Sequence, residues 1–149
     1  MTPLLTYTLV THVLTGVIAV GLITLVFMHL LKKTPDWKYL SLLSGSATVL
    51  FLISWVTSAY YYVTYYGDKV KPIILKGAYP WAHQIMMESK EHIFIILPFL
   101  TLTLYLATKL LGKIQDERIH QALRKLTMVA VILGVYITVS GMAISGAVR

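Results

Sequence analysis

The sequence predicts an all-α integral membrane protein, with four transmembrane helices in an up-down-up-down bundle that forms a single domain, residues 1–149. Three observations indicate this class. The chain is 57% hydrophobic and 13% charged, and its mean hydropathy of +0.73 is too apolar for a soluble domain of this size. It contains four long apolar segments, and short polar connections between them make sequential helices neighbours. Basic residues lie mostly at the ends of these segments.

The first two predicted spans are residues 4–31 and residues 37–62. The first is longer than the roughly 20 residues that cross a hydrocarbon core as a helix, and it ends at Lys32 and Lys33. No basic region precedes its apolar run and no small-residue cleavage site lies near its end, so it is expected to be retained rather than removed as a signal peptide. The second span finishes in a run of tyrosines typical of a membrane interface, and Gly67 is expected to end it.

The last two predicted spans are residues 80–111 and residues 126–148. Residues 69–79 contain proline, glycine and lysines and are expected to form a loop. Pro80 suits the first position of the third helix, and Pro98 is expected to kink it. A polar connection then leads to the fourth span.

The basic residues predict the orientation of these spans. Eight belong to the first-to-second and third-to-fourth connections and their flanks, namely Lys32, Lys33, Lys38, Lys109, Lys113, Arg118, Arg124 and Lys125. Five lie on the opposite side, namely Lys69, Lys71, Lys76, Lys90 and Arg149. We therefore expect the two connections to be cytoplasmic, with both termini outside, in the inner membrane of a bacterium or archaeon. The formal net charge of +7 is interpreted as this topology signal, and no nucleic-acid partner is expected.

Residues from all four spans are expected to share one level near the outer face: His12, Trp55, His92 and Gly141. Counting about 1.5 Å per residue from the cytoplasmic helix ends gives each a height of roughly 24–30 Å. Two histidines from different helices at one depth have the geometry that the axial ligands of a haem require. Gly16, one turn from His12, and Gly141, in a small-residue stripe, either make room for a flat cofactor or allow close helix packing.

The third span adds two carboxylates to this level. At about 100° per residue, Glu88, Glu91 and His92 share a narrow arc, whereas His83 points the other way. Together with His12, the three residues of this arc make a mixed nitrogen and oxygen set that suits iron, zinc or copper(II). His83 can join this set only if the helix is broken.

The leading hypothesis is a small b-type membrane cytochrome in which His12 and His92 hold haem b and the protein takes part in membrane electron transfer. The helix count and the histidine placement resemble four-helix membrane cytochromes b, in which histidines from different helices clamp haem. That resemblance implies a quinone or a redox protein as partner. The same-helix histidine pairs of the two-haem members have no counterpart here. The segment 54–98 also resembles small bacterial four-span membrane proteins with no assigned function.

Two alternatives remain open. One is a non-haem metal-binding membrane protein that uses the same histidines and glutamates. The other is a cofactor-free accessory subunit of a respiratory or transport complex, or a homo-oligomer, that packs through its small-residue face. The chain has no cysteine, which excludes thiolate metal sites and iron–sulfur clusters. No hydrolase or transferase motif is found, and His29 and His120 are expected to contact water or headgroups.

Overall fold

The structure is a computed structural model that describes residues 2–112, 114 and 116–148, and its architecture is all-helical. Five α-helices follow one another along the chain: α1 (Pro3–Leu30), α2 (Trp37–Tyr61), α3 (Lys71–Lys76), α4 (Glu88–Leu111) and α5 (Glu117–Gly146). A first π-helical segment, Tyr62–Val70, joins α2 to α3, and a second, Ala82–Met87, leads into α4. The chain thereby forms four continuous helices that are long and apolar enough to cross a membrane.

The helix starts follow from local sequence. Pro3 occupies the first turn of α1, where its missing N–H has no helical partner to lose. At the start of α2 the Asp36 carboxylate accepts the Tyr39 backbone N–H at 3.1 Å. Asp116 caps α5 in the same way and accepts the backbone N–H of Arg118 at 2.8 Å. This cap explains why α5 begins well before the predicted start of the fourth span.

The predicted loop after the second span is largely helical. Gly67 does not end the helix. It lacks the positive φ of a helix-terminating glycine, as do the other described glycines. It lies instead within the first π segment, and the backbone stays helical to Lys76. The helix that contains α2 therefore continues for 40 residues, from Trp37 to Lys76.

The four long helices pack in a ring in which α1 and α4 each contact both α2 and α5. Their core is mainly aliphatic and includes the rings of Phe51 and Phe94. Its most buried aliphatic members are Ala19, Ile23, Val26, Leu30, Leu40, Ala47, Leu97 and Leu104. The buried hydroxyls of Ser44 and Thr108 bond to carbonyls of their own helices, those of Leu40 and Leu104, each at 2.8 Å. Large apolar side chains cover much of the exterior.

Glycines set the closest helix contacts. A Cβ atom at Gly134 of α5 would lie 2.9 Å from Val20 of α1, and one at Gly16 would lie 3.2 Å from the Ser54 hydroxyl of α2. In the second case a polar side chain of one helix fills the space above the glycine of another. The small residues of the sequence thus serve close packing at these two positions.

Candidate functional site

His12 is bound to the neighbouring helix α2. Its Nδ1 lies 2.8 Å from Ser54 Oγ and 3.1 Å from the Ser54 carbonyl oxygen, while Ser54 Oγ donates to the His12 carbonyl at 2.9 Å. Because the Ser54 carbonyl can only accept, Nδ1 carries the proton and donates it to Ser54. The edge of the ring packs against Phe94 of α4, with centroids 5.6 Å apart. These contacts hold the His12 ring at a helix interface through its Nδ1 atom.

The small residues expected to make room for a flat cofactor near His12 instead have polar side chains of neighbouring helices packed against them. A Cβ at Gly141 would lie 3.4 Å from Lys90 Nζ, so the ammonium group of Lys90 occupies the space that this glycine leaves. Ser54 fills the corresponding space at Gly16. Trp55 lies on the exposed face of α2. In this arrangement the expected layer is closely packed around His12.

His92 faces outward from α4. Its Nδ1 lies 2.6 Å from the Glu88 carbonyl oxygen of its own helix, and the side chain is exposed. In the described part of the chain, no hydrogen bond or ring contact joins His92 to His12. The described residues also contain no group of three or more His, Asp or Glu side chains placed to hold a metal ion.

The second π segment brings His83 to Glu88. The Glu88 backbone N–H bonds to the His83 carbonyl, five residues back, as in a π-helix. In an α-helix two residues five apart would be separated by roughly 140° around the axis, whereas the wider π turn places them nearly one above the other. The result is a distance of 3.6 Å between His83 Nε2 and Glu88 Oε1. The helix is continuous here, and the π turn rather than a break brings His83 to Glu88.

Tyr66, in the first π segment, binds the other nitrogen of His83. Its hydroxyl lies 3.0 Å from His83 Nδ1, and both side chains are buried, at 4% and 2% exposure. The Tyr66 ring stacks on Tyr62, with centroids 5.2 Å apart. The sequence had identified the tyrosine run only as an interfacial belt, and nothing in its spacing distinguished Tyr66 from its neighbours.

Two polar atoms of this cluster are buried without a hydrogen-bond partner among the described residues: His83 Nε2 and Glu91 Oε1. Glu91 lies one turn along α4 from Glu88, and its charge acts on the hydroxyls of both stacked tyrosines. The charge of Lys71 acts on His83, and the charge of Glu91 acts on Lys90. We name His83, Glu88, Glu91 and Tyr66 the His83 cluster. It presents a bare nitrogen and carboxylate oxygens, which are ligands for a cation.

Other side chains with nitrogen or sulfur donor atoms point away from this cluster. The Met86 sulfur faces α5, 3.7 Å from Ser140 Oγ. At the opposite end of the bundle, His29 Nε2 accepts the Asp36 backbone N–H at 3.1 Å, and the His120 ring packs on Trp37 with centroids 4.8 Å apart.

Comparisons of the chain with protein-family models, with curated proteins and with solved structures found no match.

Proposed function

We propose that this chain is an integral membrane protein that binds a divalent non-haem metal ion at the outer end of its bundle, through His83 and Glu88. Four helices of spanning length and an exterior rich in large apolar side chains support membrane insertion. The bias of the basic residues supports two cytoplasmic connections, with both termini outside, in a bacterial or archaeal inner membrane.

Interhelix hydrogen bonds support an up-down-up-down arrangement. The bonds between His12 and Ser54 join the first half of α1 to the last third of α2. Arg124, near the start of α5, donates to the Leu30 carbonyl at the end of α1 at 2.8 Å. Helices whose starts and ends meet in this way run antiparallel, as expected for short connections.

The distance between His83 Nε2 and Glu88 Oε1 carries the metal proposal. At 3.6 Å it is too long for a hydrogen bond. Two atoms at this separation, each at the usual 2.0–2.2 Å from one zinc ion, would subtend an angle of about 120° at the metal. A cation between them would satisfy His83 Nε2, which otherwise is a buried polar atom without a partner. The competing interpretation is a loose ion pair between the same two groups.

The donor set indicates the class of metal. Imidazole nitrogen with carboxylate oxygen suits zinc, copper(II) or iron rather than copper(I), and the chain has no cysteine to supply a softer ligand. Two protein ligands leave further coordination positions to water.

Haem b between His12 and His92 does not fit this arrangement. The His12 ring lies against Ser54 of α2 and Phe94 of α4 in a closely packed interface, and His92 is exposed on the outside of α4. A haem would require α1 and α4 to open and His92 to turn inward. An absorption spectrum tests this hypothesis directly, because axial histidine ligation gives a Soret band that sharpens on reduction.

The test of the proposal is metal binding by the purified protein in detergent, measured by equilibrium dialysis against zinc(II), copper(II) and iron(II) separately. We expect one ion per wild-type chain and loss of binding in both His83→Ala and Glu88→Gln. His92→Ala is the matched control, because this histidine lies on the same helix but is exposed, and it should bind as the wild type does. Circular dichroism verifies that each variant is folded. Absence of binding to the wild type, or loss with His92→Ala but not with His83→Ala, would overturn the assignment.

A further inference from the structure

We infer that Tyr66 is a positioning residue of this metal site, one that holds the His83 ring in the tautomer that binds a metal through Nε2. The inference rests on the proposed function, since it assigns a role in the same site. Its basis is the 3.0 Å contact between the Tyr66 hydroxyl and His83 Nδ1, made between two buried side chains from different π segments.

A neutral imidazole can bind a metal through Nε2 only when Nδ1 carries the ring proton. That proton then needs an acceptor, because a buried N–H without one is costly. The Tyr66 oxygen is in place to accept it. Ligating histidines commonly have such a partner on the second nitrogen, and it fixes both the tautomer and the orientation of the ring.

Before the metal binds, the hydrogen bond runs in the opposite direction. With the Glu88 carboxylate on the Nε2 side, the proton is favoured on Nε2, and Nδ1 then accepts from the Tyr66 hydroxyl. A hydroxyl can both donate and accept, so one tyrosine satisfies His83 in either tautomer. The ring is neutral in both states, and the exchange of tautomers releases no net proton. Phenylalanine could serve neither state.

The surroundings of Tyr66 hold it in place for this role. Its ring stacks on Tyr62 at 5.2 Å with an interplanar angle of 21°, and it packs in a small buried cluster with Ile74 and Ala82. When its oxygen accepts from His83, its own hydroxyl proton is free to be donated. The negative charge of Glu91 acts on this hydroxyl and on that of Tyr62, which favours retention of the proton on the tyrosine oxygen.

The test compares Tyr66→Phe with Tyr65→Phe in zinc(II) binding by the purified full-length protein. The first removes only the hydroxyl that contacts His83, and the second removes the hydroxyl of the adjacent tyrosine, which pairs with Tyr61 instead. We expect Tyr66→Phe to weaken zinc binding about 10–100-fold and Tyr65→Phe to leave it unchanged. A wild type that binds no zinc refutes the metal site itself. If the wild type binds zinc and Tyr66→Phe binds it equally tightly, only the role of Tyr66 is refuted.

A second measurement needs no substitution and so does not depend on a variant's folding. In zinc-loaded wild-type protein with ¹⁵N-labelled histidine rings, NMR should show His83 protonated at Nδ1 and metal-bound at Nε2. Protonation at Nε2 in the zinc-loaded state would overturn the inference, because Tyr66 would then not be the acceptor.

Discussion

Replacing Gly134 by alanine is expected to destabilise the bundle, because α5 and α1 approach too closely there to admit a side chain. A Cβ atom at this position would lie 2.9 Å from one Val20 methyl, 3.4 Å from the other and 3.6 Å from the Val20 Cβ. Valine has one strongly preferred rotamer in a helix and cannot turn both methyls away. Relief therefore requires the two helices to move apart.

Two opposing effects set the magnitude. Overpacking a tight contact costs about 1–3 kcal/mol, whereas alanine favours a helix over glycine by about 0.5–1 kcal/mol. Gly21→Ala is the matched control, since no described atom of a neighbouring residue lies within 4 Å of its added Cβ, and it should gain only the second effect. The difference between the two variants isolates the steric cost, which we expect to be about 1–3 kcal/mol.

The assay is unfolding in mixed detergent micelles with increasing sodium dodecyl sulfate, followed by circular dichroism. Adding Val20→Ala to Gly134→Ala makes room for the new methyl, so a double-mutant cycle should give a favourable coupling between the two substitutions. Equal free energies of unfolding for Gly134→Ala and Gly21→Ala, or a coupling of zero, would refute the close contact between α1 and α5.

Two further predictions concern the helix interfaces and the topology. Ser54→Ala removes the 2.8 and 2.9 Å hydrogen bonds to His12 and should lower the free energy of unfolding by about 1 kcal/mol, within the range of interhelical hydrogen bonds in membranes. Thr57→Ala is the control, because the Thr57 hydroxyl bonds only within α2. Equal stability of the two variants would contradict this prediction. Because the chain has no cysteine, a single introduced cysteine is the only thiol of each variant. Thr34→Cys places it in the first-to-second connection and Ala78→Cys places it on the opposite side. A membrane-impermeant thiol reagent should label Ala78→Cys in intact cells and Thr34→Cys only after permeabilisation, and the reverse pattern would invert the proposed orientation.

The long helices could be predicted from the sequence because they depend on the length of each apolar segment. That length can be counted without knowledge of any tertiary contact. Residues 4–31 match α1 to within one residue at each end. The end of the second helix could not be predicted, because a glycine such as Gly67 is typical of the residue that ends a helix. Its backbone lies instead in a π-helix, and Tyr66 of that segment contacts His83 of the second π segment, 17 residues away, a contact that composition cannot indicate.

The π-helical geometry also explains why the sequence pattern includes Glu88 in the candidate site but leaves out His83. Helical periodicity at 100° per residue separates His83 from Glu88, and it does so correctly for an α-helix. The π turn changes the spacing at which side chains align, so the pair that meets is five residues apart. Lys90 was likewise counted as a topology signal, although its long side chain reaches the space left by Gly141, a contact between α4 and α5 that sequence spacing cannot reveal.

The most direct test of the metal site is zinc-edge X-ray absorption spectroscopy of the purified wild-type protein loaded with one equivalent of zinc(II). We expect a first shell of nitrogen and oxygen alone at about 2.0–2.2 Å, with the outer-shell scattering of a single imidazole, that of His83. A spectrum with the scattering of two imidazoles would contradict it and would favour the pairing of His12 with His92. Zinc that keeps only its aqueous shell would remove the metal site altogether.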